Sequence, residues 1–143
     1  MNTANTAIIQ RVYESWNKRD FSVIAELFPD CIYHSSVTGE LRGEVYRKYF
    51  TALLDAFPDG RLTVNDKIGE GDKVAVRWKF TGTHQGELMG LAPTGKQVSM
   101  TGISVIRIVN GKIAEVWEEW DNLGMMQQLG VVPTIKLEAK VAA

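Results

Sequence analysis

The stretch Val98-Ser99-Met100-Thr101-Gly102-Ile103-Ser104-Val105-Ile106-Arg107-Ile108-Val109-Asn110-Gly111-Lys112-Ile113-Ala114-Glu115-Val116-Trp117-Glu118-Glu119-Trp120 decides the fold class. Its first half reads as a long strand ending at Val109. Asn110-Gly111 follows, the strongest short hairpin signal a sequence carries, because both residues tolerate the positive φ of a tight turn. Ile113 to Trp120 then returns as the antiparallel partner. Upstream, Val74, Val76, Trp78 and Phe80 alternate with Ala75, Arg77, Lys79 and Thr81, the pattern of another half-buried strand. Leu62, Val64 and Ile68 begin one more, and Gly69-Glu70-Gly71-Asp72 makes the turn between the two.

Ahead of Arg61 the apolar period is helical. Ile9, Val12, Tyr13 and Trp16 form one stripe, with Thr3 or Asn5 as its cap and an end between Asn17 and Asp20. Asp20 reads as the N-cap of a short second helix carrying Ile24, Leu27 and Phe28, stopped by Pro29. A third helix fits Gly43 to Phe57, with Tyr46, Tyr49, Phe50, Leu53 and Phe57 on one side. Beyond the strands, Asp121 and Asn122 open a last short helix through Leu129, closed by Gly130. Segregated helices and strands predict an α+β fold. In it, three N-terminal helices precede an antiparallel meander of three or four long strands, which curls round them and encloses an apolar pocket. Residues 1–130 make the single domain, and 131–143 a C-terminal tail with little pattern.

Composition narrows the function classes. The 143 residues are 45% hydrophobic and 23% charged, which is globular rather than disordered. No hydrophobic run exceeds three residues, so neither a membrane-spanning helix nor the apolar region of a signal peptide is present. Sixteen Lys and Arg against seventeen Asp and Glu leave a net charge of −1, and nothing electrostatic favours nucleic acid or an anionic membrane. One cysteine, Cys31, and two histidines are too few for an internal disulfide or a zinc-ligand set. The expectation is a cytoplasmic domain with no metal and no organic cofactor.

That leaves carboxylates, two histidines and many aromatics. In a strand, Glu115, Trp117, Glu119 and Asp121 share one face while Val116, Glu118 and Trp120 share the other. A carboxylate at the end of such a strand, beside indoles, can have its pKa raised into the range of a general acid or base. Asp121 is placed for that, and equally placed to cap the last helix, with the glutamates as a solvated strand face. His84 follows the long strand in a loop, as a working side chain or a surface one. His34, after Cys31-Ile32-Tyr33, shares a face with Ile32 if that segment alternates, and then points inward. Tyr13, Trp16, Trp78 and Trp117 are core side chains by default, and a pocket lined by them differs only in leaving a space.

Several longer motifs resemble one family. Gly82-Thr83-His84-Gln85-Gly86-Glu87-Leu88-Met89-Gly90-Leu91-Ala92-Pro93-Thr94-Gly95-Lys96 is similar to the G-T-H-x-G-E-(F/L)-x-G-x-x-P-T-G-(K/R) signature of SnoaL-like polyketide cyclases. Arg107 through Trp117, and Trp120 through Gly130, resemble that family's closing signature, and Ala56-Phe57-Pro58-Asp59 and Gly69-Glu70-Gly71-Asp72-Lys73-Val74 match as well. The likeness runs from about Ile8 to Gly130. It implies the cone-shaped α+β fold shared with ketosteroid isomerase, a homodimer packed through the outer face of the sheet, and a cofactor-free aldol ring closure of a small hydrophobic carbonyl-containing ester.

Within that resemblance, Asp121 matches the family's acid/base aspartate and His84 the histidine of its G-T-H motif; His34 is a further catalytic candidate on its position alone. Tyr13, Trp16, Trp78, Met89, Trp117 and Met125 are the expected substrate-binding side chains. Val116 stands where many members carry His. The same fold also hosts binders without turnover and epoxide hydrolases. Binding of a small hydrophobic ligand is the second reading, and water addition by Asp121, Glu119 and Arg107 the third.

Overall fold

A computed structural model describes residues 3–134 of the chain. The helices are α1 (Thr3–Lys18), α2 (Phe21–Leu27), α3 (Gly43–Ala56) and α4 (Asn122–Gln128). The strands are β1 (Ile32–Ser35), β2 (Gly39–Arg42), β3 (Arg61–Glu70), β4 (Lys73–Thr83), β5 (Gln97–Val109) and β6 (Lys112–Trp120). They form one curved, unclosed sheet in the order β2-β1-β6-β5-β4-β3.

The local signals explain most boundaries. Asp20 caps α2, its carboxylate accepting from the Val23 N–H. Asn110 and Gly111 both take positive φ, 51° and 75°, as a type I′ hairpin between right-twisted strands requires. Two bulges, with Asn65 the extra residue on β3 and Ala114 the extra residue on β6 opposite Arg107 and Ile108, add local twist and bend β3 and β6. The long strands pair as an antiparallel meander, β3 with β4, β4 with β5 and β5 with β6.

Two features depart from the expected meander. The chain makes a short hairpin, β1 and β2, between its second and third helices, and β1 lies parallel to β6. The sheet is therefore mixed. Strands of four residues are too short to show a period, and the β1–β6 pairing joins segments about eighty residues apart that no local signal connects. Of the tail from Val131, residues 135–143 lie outside the described residues.

One face of the sheet packs on the helices. Val74, Val76, Trp78 and Phe80 of β4, Val98, Ile106 and Ile108 of β5, and Ile113 and Val116 of β6 are buried there. They meet Ile9, Val12, Tyr13 and Trp16 of α1, Ile24 and Leu27 of α2, and Tyr46 and Leu54 of α3. Trp16 is the hub of the helical side, stacked on Phe50 at 4.4 Å and edge-on to Tyr13 at 5.0 Å. Among the described residues no helix is long and apolar enough to cross a membrane.

Candidate active site

Between helices and sheet lies a cavity walled by Tyr13, Trp16, Phe50, Phe57, Trp78, Phe80, Met100, Trp120, Met125 and three leucines, with one carboxylate, Glu118. Its free space is about 50 Å³, well below the roughly 300–1,000 Å³ of ligand pockets in general. A bicyclic or larger molecule enters only if side chains move. The unbranched walls Met100 and Met125 are the ones built to do so. Phe50, Leu53, Met100 and Trp120 are only half-buried and mark the side nearest solvent.

Strand register puts Glu118 there. On β6 it stands directly opposite Ser104 of β5, and on the same face as Val116. Ser104 Oγ donates to Glu118 Oε2 at 2.6 Å. The parallel neighbour β1 aligns Tyr33 with Val116, one side-chain step before Glu118, and the Tyr33 hydroxyl donates to Oε1 at 2.9 Å. Trp78, diagonal to Ser104 on β4, sends its indole N–H to Ser104 Oγ at 3.0 Å. Every side chain in this chain of bonds is buried.

Burial raises the Glu118 carboxyl above the ordinary carboxylate range, and the bonds from Ser104 and Tyr33 oppose it in part. Four phenols surround the group. Desolvation first, and the Glu118 charge second, push up Tyr13, Tyr33 and Tyr46, and raise Tyr49 to about 12. The Tyr46 and Tyr49 hydroxyls are themselves buried without a hydrogen-bond partner. A carboxyl held in an apolar cavity with a raised pKa can take a proton from a carbon acid and return it nearby.

Of the expected site residues, Tyr13, Trp16, Trp78 and Met125 meet in the cavity wall. The others lie elsewhere. Asp121 is exposed and is the N-cap of α4, its Oδ1 accepting from the Gly124 N–H at 2.9 Å. It positions α4, which carries Met125 into the wall, and is not among the cavity-lining residues. His84 is fully buried as the staple of the loop that follows β4. Its Nδ1 accepts from the Thr94 N–H at 3.1 Å, which assigns the ring proton to Nε2. Its backbone bonds Lys96 and Gly95 across the same loop. Met89 is exposed, with φ of 47°, in the turn between Leu88 and Leu91.

His34 and Trp117 correct an expected orientation. β1 does alternate, but Tyr33 and Ser35 face the core and His34 faces outward. On the outer face His34 Nε2 lies 2.6 Å from Glu115, which also accepts from Arg107 at 3.1 Å. The His34 hydrogen bond and then Arg107 hold the Glu115 carboxyl below its usual range. The His34 ring stacks on Trp117 at 5.5 Å. Asp121, Glu119 and Arg107 do not converge on one water either: Glu119 accepts from Ser36, and Arg107 is engaged by Glu115. Among the described residues no three His, Cys, Asp or Glu side chains are grouped to hold a metal ion.

Glu118 and its partners Tyr33 and Ser104 are not among the site residues expected from the sequence. The parity of Glu118 with Val116 and Trp120 was the available signal, since a carboxylate spaced between apolar residues on one strand face shares their burial.

A curved sheet closed by helices over an apolar cavity with one buried carboxylate defines a small-molecule site of the cone-fold class. Comparison places the chain within that class. The profile of the SnoaL-like polyketide cyclase family matches residues 6–129, and the chain belongs to that family. It is 32% identical over 131 residues to the aklanonic acid methyl ester cyclase DnrD of Streptomyces peucetius, covering 86% of this chain and 88% of that one. Among solved structures, AclR of Streptomyces galilaeus matches with a TM-score of 0.85 at 33% identity, over 97% of this chain and 93% of that one. IdmH of Streptomyces antibioticus matches with a TM-score of 0.78 at 34% identity, over 89% and 99% of the two chains.

Proposed function

We propose that this chain closes a ring in a flat, hydrophobic carbonyl ester, using Glu118 as the group that takes and returns the proton. The observation that carries this reading is the burial of one carboxylate, doubly hydrogen-bonded, in the wall of an otherwise apolar cavity. Membership of the cyclase family supports the reaction class. In the reaction, Glu118 accepts the acidic C–H proton lying between two carbonyls. The enolate carbon attacks an internal carbonyl, and the proton on Glu118 passes to the new alkoxide. Atoms balance without a co-reactant, and the product has the mass of the substrate. Trp16, Trp78 and Phe50 supply flat apolar walls.

The test is direct. Purified protein incubated with aklanonic acid methyl ester, the compound in the name of the relative, or with a smaller diketo ester, is expected to yield a chromatographically distinct product of unchanged mass. Binding without product supports the second reading, a carrier of hydrophobic ligands. Asp121→Asn is expected to keep turnover within about threefold, since Asn caps a helix as well as Asp does. A large loss in that variant, with Glu118→Gln unaffected, hands the proton to Asp121.

The outer sheet face supports a homodimer as the working form. Register aligns Ile68, Ala75, Val105 and Trp117 in one row across β3 to β6 on that face. Ile68 is 64%, Ile103 55% and Trp117 37% exposed, an apolar ridge that a second copy would cover. Light scattering at micromolar concentration is expected to give twice the chain mass, and a value of 16.0 kDa overturns the dimer.

A further inference from the structure

We propose that the indole N–H of Trp16 is the hydrogen-bond donor for the ligand's carbonyl oxygen, so that the cavity selects a carbonyl compound over a hydrocarbon of the same shape. The inference rests on the reading of this cavity as a carbonyl-ester site, and its test is run without turnover.

A ketone or ester oxygen that leaves water for an apolar cavity needs a donor there. The lining side chains include no Lys, Arg, His, Ser, Thr, Asn or Gln. Besides Glu118, the wall groups that carry an N–H or O–H belong to Tyr13, Trp16, Trp78 and Trp120. The Trp78 N–H is already given to Ser104, at 3.0 Å. Trp120 is half-buried on the side nearest solvent. Tyr13 lies in the field of the Glu118 charge.

Trp16 differs from all three. Its Nε1 is buried and has no hydrogen-bond partner. Of the five buried side-chain atoms in that condition among the described residues, it alone belongs to a cavity-lining residue. An indole N–H donates and cannot accept, so no reorientation of its own hydrogen relieves it. Around it stand Phe50, stacked at 4.4 Å, Phe28 at 5.9 Å, and Tyr13 edge-on at 5.0 Å. Folding has stripped this group of water and left its bond unmade, a cost that buried polar groups seldom carry.

A carbonyl oxygen that meets this N–H gains a bond for which the donor's desolvation and ordering are already complete. Glu118 reaches the cavity from β6 and Trp16 from α1. Proton acceptor and donor therefore approach a flat ligand from different walls. The charge that gathers on the carbonyl oxygen as a neighbouring C–H proton leaves is negative, which an N–H stabilises and a carboxylate does not.

Nitrogen–proton correlation NMR of the full-length protein resolves each indole N–H. The chain has four tryptophans, and the Trp16 signal is the one that survives Phe substitution at Trp78, Trp117 and Trp120 in turn. The probes are 1-tetralone and tetralin, one bicycle with and without a carbonyl. 1-Tetralone is expected to carry the Trp16 proton downfield as it saturates, and tetralin to leave it unmoved or upfield. Trp16→Phe removes wall area for both probes alike, so the ratio of their dissociation constants isolates the N–H. Wild type is expected to favour the ketone more than the variant does, by roughly threefold to tenfold, the worth of one neutral hydrogen bond. A smaller difference overturns the proposal. So does a bound ketone that leaves the Trp16 proton where tetralin leaves it, or a wild-type protein that binds neither probe. If Trp16→Phe fails to fold, the wild-type spectra decide alone. Turnover in Glu118→Gln, kept or lost, does not enter these readings, so base and donor stand or fall separately.

Discussion

Glu118→Gln is expected to lower turnover of a cyclisable ester by roughly 10²–10⁴-fold, the usual loss when a positioned acid/base group goes. Gln matches Glu in volume, so the cavity keeps its shape, but a carboxamide cannot take up a proton at neutral pH. KM is expected to change little, because the substitution leaves the apolar cavity walls, Trp16, Trp78 and their neighbours, in place. A variant that retains a tenth or more of wild-type kcat sinks the assignment.

The same residue carries a pH signature in stability. Burial raises the folded-state pKa of Glu118 above the ordinary value of 4.5. Between those two values the folded chain binds more protons than the unfolded one, so stability declines as pH rises through that window. Above the folded-state pKa the penalty of holding a buried charge is present in full. Glu118→Gln removes this slope. Wild-type Tm relative to the variant is expected to fall from pH 4 toward neutrality, and a parallel pair of profiles counts against a raised pKa. An ionised carboxylate buried at this position works against the fold.

Gly102→Ala is the second change with a large expected effect. Gly102 sits opposite Trp78 across β4 and β5. A Cβ built on it falls 2.2 Å from Trp78 Cζ2 and 2.6 Å from Cη2, distances no packed pair of carbons occupies. The indole lies across the bare glycine to reach Ser104. With a methyl in place it must tilt away, at a cost of about 1–3 kcal/mol for overpacking and rearrangement. Calorimetry is expected to show a Tm lower by several degrees, and the Trp78 indole proton to lose its hydrogen-bonded shift. A loss under about 0.5 kcal/mol, a surface-like effect, would mean that strand and ring part freely.

How far the sequence led can be judged from particular residues. Alternation along β4 and the Asn110-Gly111 turn named the meander and its pairing partners, because a period of two and a positive-φ turn are local properties of the chain. Tyr13, Trp16, Trp78 and Met125 were legible as cavity walls only to the extent that large apolar residues on helical and strand periods face inward. Asp20 and Asp121 illustrate the opposite outcomes of one rule. Both cap short helices, and for Asp121 the expected catalytic role competed with that plain local one.

What the sequence determined by itself was parity: Glu118 with Val116 and Trp120, Glu115 with Trp117 and Glu119. Which parity faces the helices was decided by the tertiary structure. A strand's alternation divides its residues into two sets and does not say which set is inside, since both here contain indoles and carboxylates. The answer came from partners remote in sequence. β1 docks parallel to β6 and brings Tyr33 to one oxygen of Glu118, β5 brings Ser104 to the other, and the outward set is left with His34 and Arg107 around Glu115. Those pairings form because burying Val116 and Tyr33 together removes more apolar surface from water than exposing them, a non-local balance that no window of the sequence contains.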